Sequence, residues 1–288
     1  MPTQTTRKWH GAVVALICGS LILLVSLGIR HAFGLFLQPV TMDQGWGRET
    51  FAFAIALQNL VWGFSQPFTG MLSDRFGARP VVASGALLYG LGLWVMSQVA
   101  GEVVFIFGAG VLIGLGLSGT TFPVIFGAIS RLVAPQQRSF AMGITMSVGS
   151  FGQFAMLPIS LGLITGLEWQ SALIVLSILA ILMFPLAFGI RSASPSTFFA
   201  EEDVSFTQAL RDAFGLRDFW LLSLGFFACG FQVVFIAVHL PAFLMDEGVG
   251  DGVAMTVLAL IGLVNIAGTY FACLWGGRHR KPMLLTWI

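Results

Sequence analysis

An arginine inside a long apolar run is the residue in this sequence from which chemistry can start. Arg30 lies well inside the run from Gly11 to Val40, with Ser26, Gly34 and Gln38 at helical spacing on its face. Holding a guanidinium at the centre of a bilayer costs about 2.5–3.5 kcal/mol on insertion scales, so such a residue faces a cavity or a partner. In a low-dielectric cavity it can grip a carboxylate through two parallel N–H bonds. The stripe therefore offers binding of an organic anion. A structural ion pair is the competing use, although no Asp or Glu occurs inside the other apolar runs.

Other polar side chains within apolar runs extend the list of candidates. Asn59, Trp62 and Gln66 share a face, with Gln58 beside them. Gln232 and Asn265 lie in later runs. Arg30, Gln58, Asn59, Trp62, Gln232 and Asn265 form the candidate solute-binding set. Each amide also suits hydrogen bonding between helices. His31, about 100° around a helix from Arg30, and His239, in Val-His-Leu-Pro, are candidates for proton coupling or for interhelical hydrogen bonds. The three cysteines, Cys18, Cys229 and Cys273, have no disulfide or metal spacing. A phosphate-binding Gly-rich loop, a His-Glu-x-x-His pair and a Gly-x-Ser-x-Gly elbow are all lacking, so neither a cofactor nor an enzymatic activity is expected.

The elements that must position these residues are membrane spans. The chain is 57% hydrophobic and 9% charged, against about 25% charged in soluble domains. Its mean hydropathy of +0.90 points to a bilayer as solvent. A net charge of +1 gives no reason to expect nucleic acid as a partner. Continuous apolar runs long enough to span predict an all-α membrane protein with eight helices, at 11–38, 50–72, 80–99, 103–130, 139–164, 170–190, 219–244 and 253–275. Residues 283–288 open a further one. With the N-terminus in the cytoplasm, 12 of the 14 basic residues fall on the cytoplasmic side. Residues 1–190 then make a six-helix bundle. A cytoplasmic linker follows at 191–218, with an interfacial helix from Phe206 to Phe214, and 219–288 begin a second bundle.

The turn between the second and third runs, Gly70-Met-Leu-Ser-Asp-Arg-Phe-Gly-Ala-Arg79, resembles the loop signature of the major facilitator superfamily. It matches at Gly70, Leu72, Asp74, Arg75, Gly77 and Arg79, and departs at Ala78, where the family has a basic residue. The resemblance implies two six-helix halves and secondary transport by alternating access, with Gly70, Asp74, Arg75, Gly77 and Arg79 as a cytoplasmic gating loop. In this turn Asp74 is expected to pair with Arg79 or to lie near a helix N-terminus. A degenerate echo, Gly276-Gly-Arg-His-Arg-Lys-Pro282, follows the eighth run, and four more helices are expected beyond residue 288.

The segments Gly28–Phe36, Gly45–Arg48 and His239–Pro241 are similar to the bacterial monocarboxylate and oxalate–formate branch. That branch implies a small organic anion coupled to protons, in a bacterial inner membrane. A carrier of drugs or other solutes, and a remnant that does not transport, are the alternatives. The drug branch is less favoured, because Gly110 replaces its arginine and Pro158 is followed by Ile159 and Ser160.

Overall fold

The computed structural model describes residues 4–98, 101–190, 206–248 and 251–276, and among them every regular element is helical. The echo beyond Gly276, the acidic part of the linker at 191–205 and the opening of a ninth run at 283–288 lie outside the described residues. The first run is longer and less regular than expected. Helix α1 (Gln4–His31) passes through a 3₁₀ segment (Ala32–Phe36) into α2 (Leu37–Gln44). The tighter turn begins two residues after Arg30, and all five of its residues are buried. Helix α3 (Arg48–Phe76) is 29 residues long, about 43 Å at 1.5 Å per residue. It sets apart the two ends of the bundle: the Arg48 end and the Asp74 end.

Gly77, at φ 90°, ψ 157°, separates α3 from α4 (Ala78–Ser97), a conformation open to glycine and strained for other residues. The fourth run is segmented. It comprises α5 (Glu102–Ile106), a π-helical stretch (Phe107–Leu112), α6 (Ile113–Thr120) and, after extended backbone at Thr121 (φ −113°, ψ −161°), α7 (Phe122–Leu132). Pro123, in the first turn of α7, suits the break, because it has no N–H for the Gly119 carbonyl one turn back and its ring would clash there in a continuous helix.

The fifth and sixth runs are two helices that meet at non-helical backbone at Glu168 (φ 66°, ψ 156°) and are taken together as α8 (Arg138–Ile181). One left-handed residue thus does the work of the expected loop around Gly166–Gln170. Helix α9 (Met183–Ala187) ends this part. Helices α10 (Phe206–Gly215), α11 (Arg217–Asp246) and α12 (Asp251–Gly276) follow. Among the described residues, five stretches are long and apolar enough to cross a membrane: Gly11–Gln44, Ala78–Ser97, Glu102–Leu132, Pro135–Ala187 and Arg217–Asp246. Arg48–Phe76 has the length but is not among them, its apolar character diluted by Gln58, Asn59 and Gln66.

The core lies where α1, α4, α6 and α8 cross, around Tyr89, Ile22, Leu23, Leu93 and Ile113, all fully buried. Close approach is bought by missing side chains. A Cβ at Gly152 would strike the Leu24 carbonyl, and one at Gly85 would sit 2.9 Å from the Gly116 carbonyl. Helix α12 packs along α8, with Gly262 against the backbone of Phe154. Helix α11 meets the first part only near its Asp246 end, where Ala237, Val238, Pro241 and Ala242 are buried. There the Ala237 carbonyl occupies the space a Cβ would need at Gly34, and Pro241 Cγ is 3.3 Å from it. Most of α11 before Ala237 is exposed, including Phe226, Phe227 and Phe231.

Candidate solute site

The structure resolves the Arg30 stripe into a line of contacts with other helices. One turn before Arg30, the Ser26 hydroxyl donates to the Thr120 carbonyl at 3.4 Å. The Ser26 carbonyl accepts from the buried Tyr89 hydroxyl at 2.9 Å. One turn after it, Gly34 meets α11. A turn further on, the Gln38 amide donates to Asp246 at 3.4 Å. The stripe therefore faces protein along its length, and Arg30 lies within it.

Arg30 is half-buried, and its partners are neutral. An Nη donates to Asn59 Oδ1 at 2.6 Å. The guanidinium carbon sits 4.8 Å from the centroid of the Trp62 ring, in cation–π range. Its Nε is buried without a partner. The two ion pairs seen among the described residues, Arg48–Asp246 and Arg131–Asp74, do not involve it. A guanidinium has five N–H donors, of which one is used here on Asn59.

Asn59 and Trp62 are in turn held in place. The Asn59 amide donates to the Ile55 carbonyl at 2.7 Å, which turns its oxygen toward Arg30. The indole N–H of Trp62 donates to Thr121 Oγ1 at 3.0 Å. The Thr121 hydroxyl, fully buried, in turn donates to the Leu117 carbonyl at 2.6 Å. Thr121 is thus a supporting residue of this cluster that the spacing of polar groups did not single out. The signal was present, since Thr120-Thr121-Phe122-Pro123 marks a helix boundary inside an apolar run.

The remaining candidates divide. Gln58 is not part of this cluster: its amide donates to the Ala109 carbonyl at 2.8 Å, and it is 1% exposed. Ala109 lies in the π-helical stretch, where widened turns disturb the regular ladder, so Gln58 serves the helix–helix joint. His31 is buried, and its Nε2 has no partner. His239 packs against Phe235 at 5.0 Å between ring centroids. Gln232 and Asn265 are exposed on α11 and α12 and do not enter the hydrogen-bonded cluster around Arg30.

In the gating loop, Asp74 pairs with Arg131 at the end of α7, not with Arg79. The two residues are 57 apart in sequence, a distance that only the tertiary fold closes. Arg75 lies over the Phe76 ring at 5.3 Å, and the Nε of Arg79 is buried without a partner. A Cβ at Gly70 would meet open space, so close packing does not explain that glycine here.

Segmented apolar helices surround a half-buried arginine that has no acid partner among the described residues, and comparison with known proteins gives the family. The sequence matches the profile of the Major Facilitator Superfamily over residues 11–288, and the chain belongs to that family. It is 27% identical over 260 residues to monocarboxylate transporter 11 of Homo sapiens, covering 87% of this chain and 53% of that protein. It is 23% identical over 266 residues to the oxalate:formate antiporter of Oxalobacter formigenes, covering 90% of this chain and 61% of that one. Among solved structures, a D-xylose-proton symporter superposes with a TM-score of 0.59 at 18% identity, covering 91% of this chain and 67% of that one. This last likeness shows the fold alone. The chain spans about half the length of curated relatives such as monocarboxylate transporter 11.

Proposed function

We propose that this chain carries out secondary transport of a small monocarboxylate-like anion by alternating access, with Arg30 as the group that holds the carboxylate. The observation that carries this reading is the Arg30 guanidinium. It is braced by Asn59 and Trp62, lacks an acid partner among the described residues, and keeps a buried Nε free. Relatives named for monocarboxylate and for oxalate–formate transport support the same solute class. The buried His31, next to Arg30, is the proposed proton-coupling group, and His239 is a second. In this reading the N-terminus and the Asp74 turn face the cytoplasm of a bacterial inner membrane, as the distribution of basic residues favours. Driving energy comes from an ion gradient.

The test is uptake of labelled monocarboxylates by the reconstituted chain under an imposed pH gradient, with neutral amide analogues in parallel. Uptake of the acid and not the amide is expected, stimulated by an inward proton gradient. Carriage of the amide with equal efficiency would overturn the anion site, and indifference to the gradient would overturn proton coupling.

A further inference from the structure

The guanidinium of Arg30 is braced by Asn59 and Trp62, and the backbone that carries it is braced by Tyr89. Tyr89 lies on α4, fully buried, and its hydroxyl donates to the Ser26 carbonyl at 2.9 Å. In α1 that carbonyl is also the acceptor for the N–H of Arg30, four residues on. A carbonyl oxygen has two lone pairs, so it can take both bonds. Ser26 is tied a second time, through its own hydroxyl to the Thr120 carbonyl of α6 at 3.4 Å. Gly116 of α6 allows the close approach, since a Cβ there would sit 2.7 Å from the Tyr89 backbone nitrogen. Helices α1, α4 and α6 therefore meet at Ser26, one turn before Arg30.

The place of this joint matters because the helix changes pitch just beyond it. Helix α1 ends at His31 and tightens into the 3₁₀ segment Ala32–Phe36. Successive residues turn by about 100° in an α-helix and by about 120° in a 3₁₀-helix. If the tighter winding ran back through the four residues from Ser26 to Arg30, Arg30 would swing by about 80°. That swing would carry the guanidinium away from Asn59 Oδ1, now at 2.6 Å, and from the Trp62 ring, now at 4.8 Å. The Arg30 N–H would also leave the Ser26 carbonyl for that of Leu27. By fixing the direction of the Ser26 carbonyl, the Tyr89 hydroxyl favours the α-helical turn that ends on Arg30.

We propose that Tyr89, acting through Ser26, is a positioning residue for Arg30: it holds the turn from which the guanidinium is presented, without itself touching the solute. The proposal rests on the reading of Arg30 as the carboxylate-binding group and deepens it. A matched bond elsewhere on α4 supplies the control. The buried Ser177 hydroxyl of α8 donates to the Gly90 carbonyl at 2.7 Å, and neither partner lies on α1.

The test reads the surroundings of Arg30 directly. The full chain in detergent is labelled with 5-fluorotryptophan, and Trp62→Phe identifies the Trp62 signal among the eight tryptophans by fluorine NMR. Arg30→Ala is expected to move that signal, and Tyr89→Phe to move it in the same direction by a smaller amount. In the Arg30→Ala background, Tyr89→Phe should add nothing, because its effect passes through the guanidinium. Ser177→Ala should lower Tm and leave the signal in place. Preference for a labelled monocarboxylate over its amide should fall roughly two- to tenfold in Tyr89→Phe, the span of one hydrogen bond, and stay unchanged in Ser177→Ala. An unmoved Trp62 signal in Tyr89→Phe overturns the positioning role, as does an equal movement in the Arg30→Ala background. If Tyr89→Phe gives no folded protein, Ser26→Ala, which cuts the tie to Thr120, is read in its place, and an unmoved signal overturns the role equally. A signal that moves as expected in a parent with no preference for the acid upholds the positioning and sinks the carboxylate reading instead.

Discussion

Replacing Arg30 by Ala separates binding of a carboxylate from support of the fold. Truncating one partner of a buried, hydrogen-bonded charge pair costs about 2–5 kcal/mol. Arg30 is half-buried, so the lower part of that range applies: about 2–3 kcal/mol, or roughly 30- to 150-fold in affinity for the acid. Stability responds differently. Removal of the guanidinium loses the bond to Asn59, about 1.5–3 kcal/mol for a charged donor, and the Trp62 contact, about 0.5–2 kcal/mol. It also relieves about 2.5–3.5 kcal/mol of cost for holding the charge in the membrane. These nearly cancel, so Tm in detergent should move little while acid affinity collapses. The neutral amide analogue should bind the variant and the parent alike, and Arg30→Lys should recover only part of the loss, since a point charge replaces a fork. Calorimetric titration of acid and amide against both proteins reads the ratio. An acid-to-amide preference that survives Arg30→Ala would refute the reasoning, as would a large fall in Tm with unchanged affinity.

Other outcomes follow from single contacts. Thr121→Val leaves the Trp62 indole N–H without its acceptor, which should cost about 1–3 kcal/mol, lower Tm and weaken acid affinity with it. Gly34→Ala drives a Cβ into the Ala237 carbonyl, so α11 must move away; a lower Tm and slower transport are expected. Asp74→Asn removes a pair that is 38% and 39% exposed, so Tm should change by less than about 1 kcal/mol of stability even where transport rate changes.

The candidate site was partly legible because helical periodicity is local. Asn59 and Trp62, three apart, share a face by geometry alone, and both meet Arg30. Gln58, one residue before Asn59, points about 100° away and finds Ala109 instead. Its chemistry is nearly the same as that of Asn59, and only the neighbouring helix tells them apart. The partner of Asp74 was not legible either. Arg79 is close in sequence, while Arg131 becomes close only when α7 returns to the same end of the bundle. The connection expected at Gly166–Gln170 does fall there, although a single non-helical residue, Glu168, makes the turn.

By itself, the sequence determined the solvent of this protein, its helical class and the presence of a charge that apolar surroundings tolerate only for a reason. Those properties follow from composition and from a 3.6-residue repeat, which act within one segment. Tertiary structure alone decided which groups Arg30 meets, that Thr121 holds the Trp62 platform, and that Arg48 and Asp246, 198 residues apart, pair at one end. Such pairings depend on how segments return past one another, and a hydrogen bond between helices leaves no periodic trace in either of them.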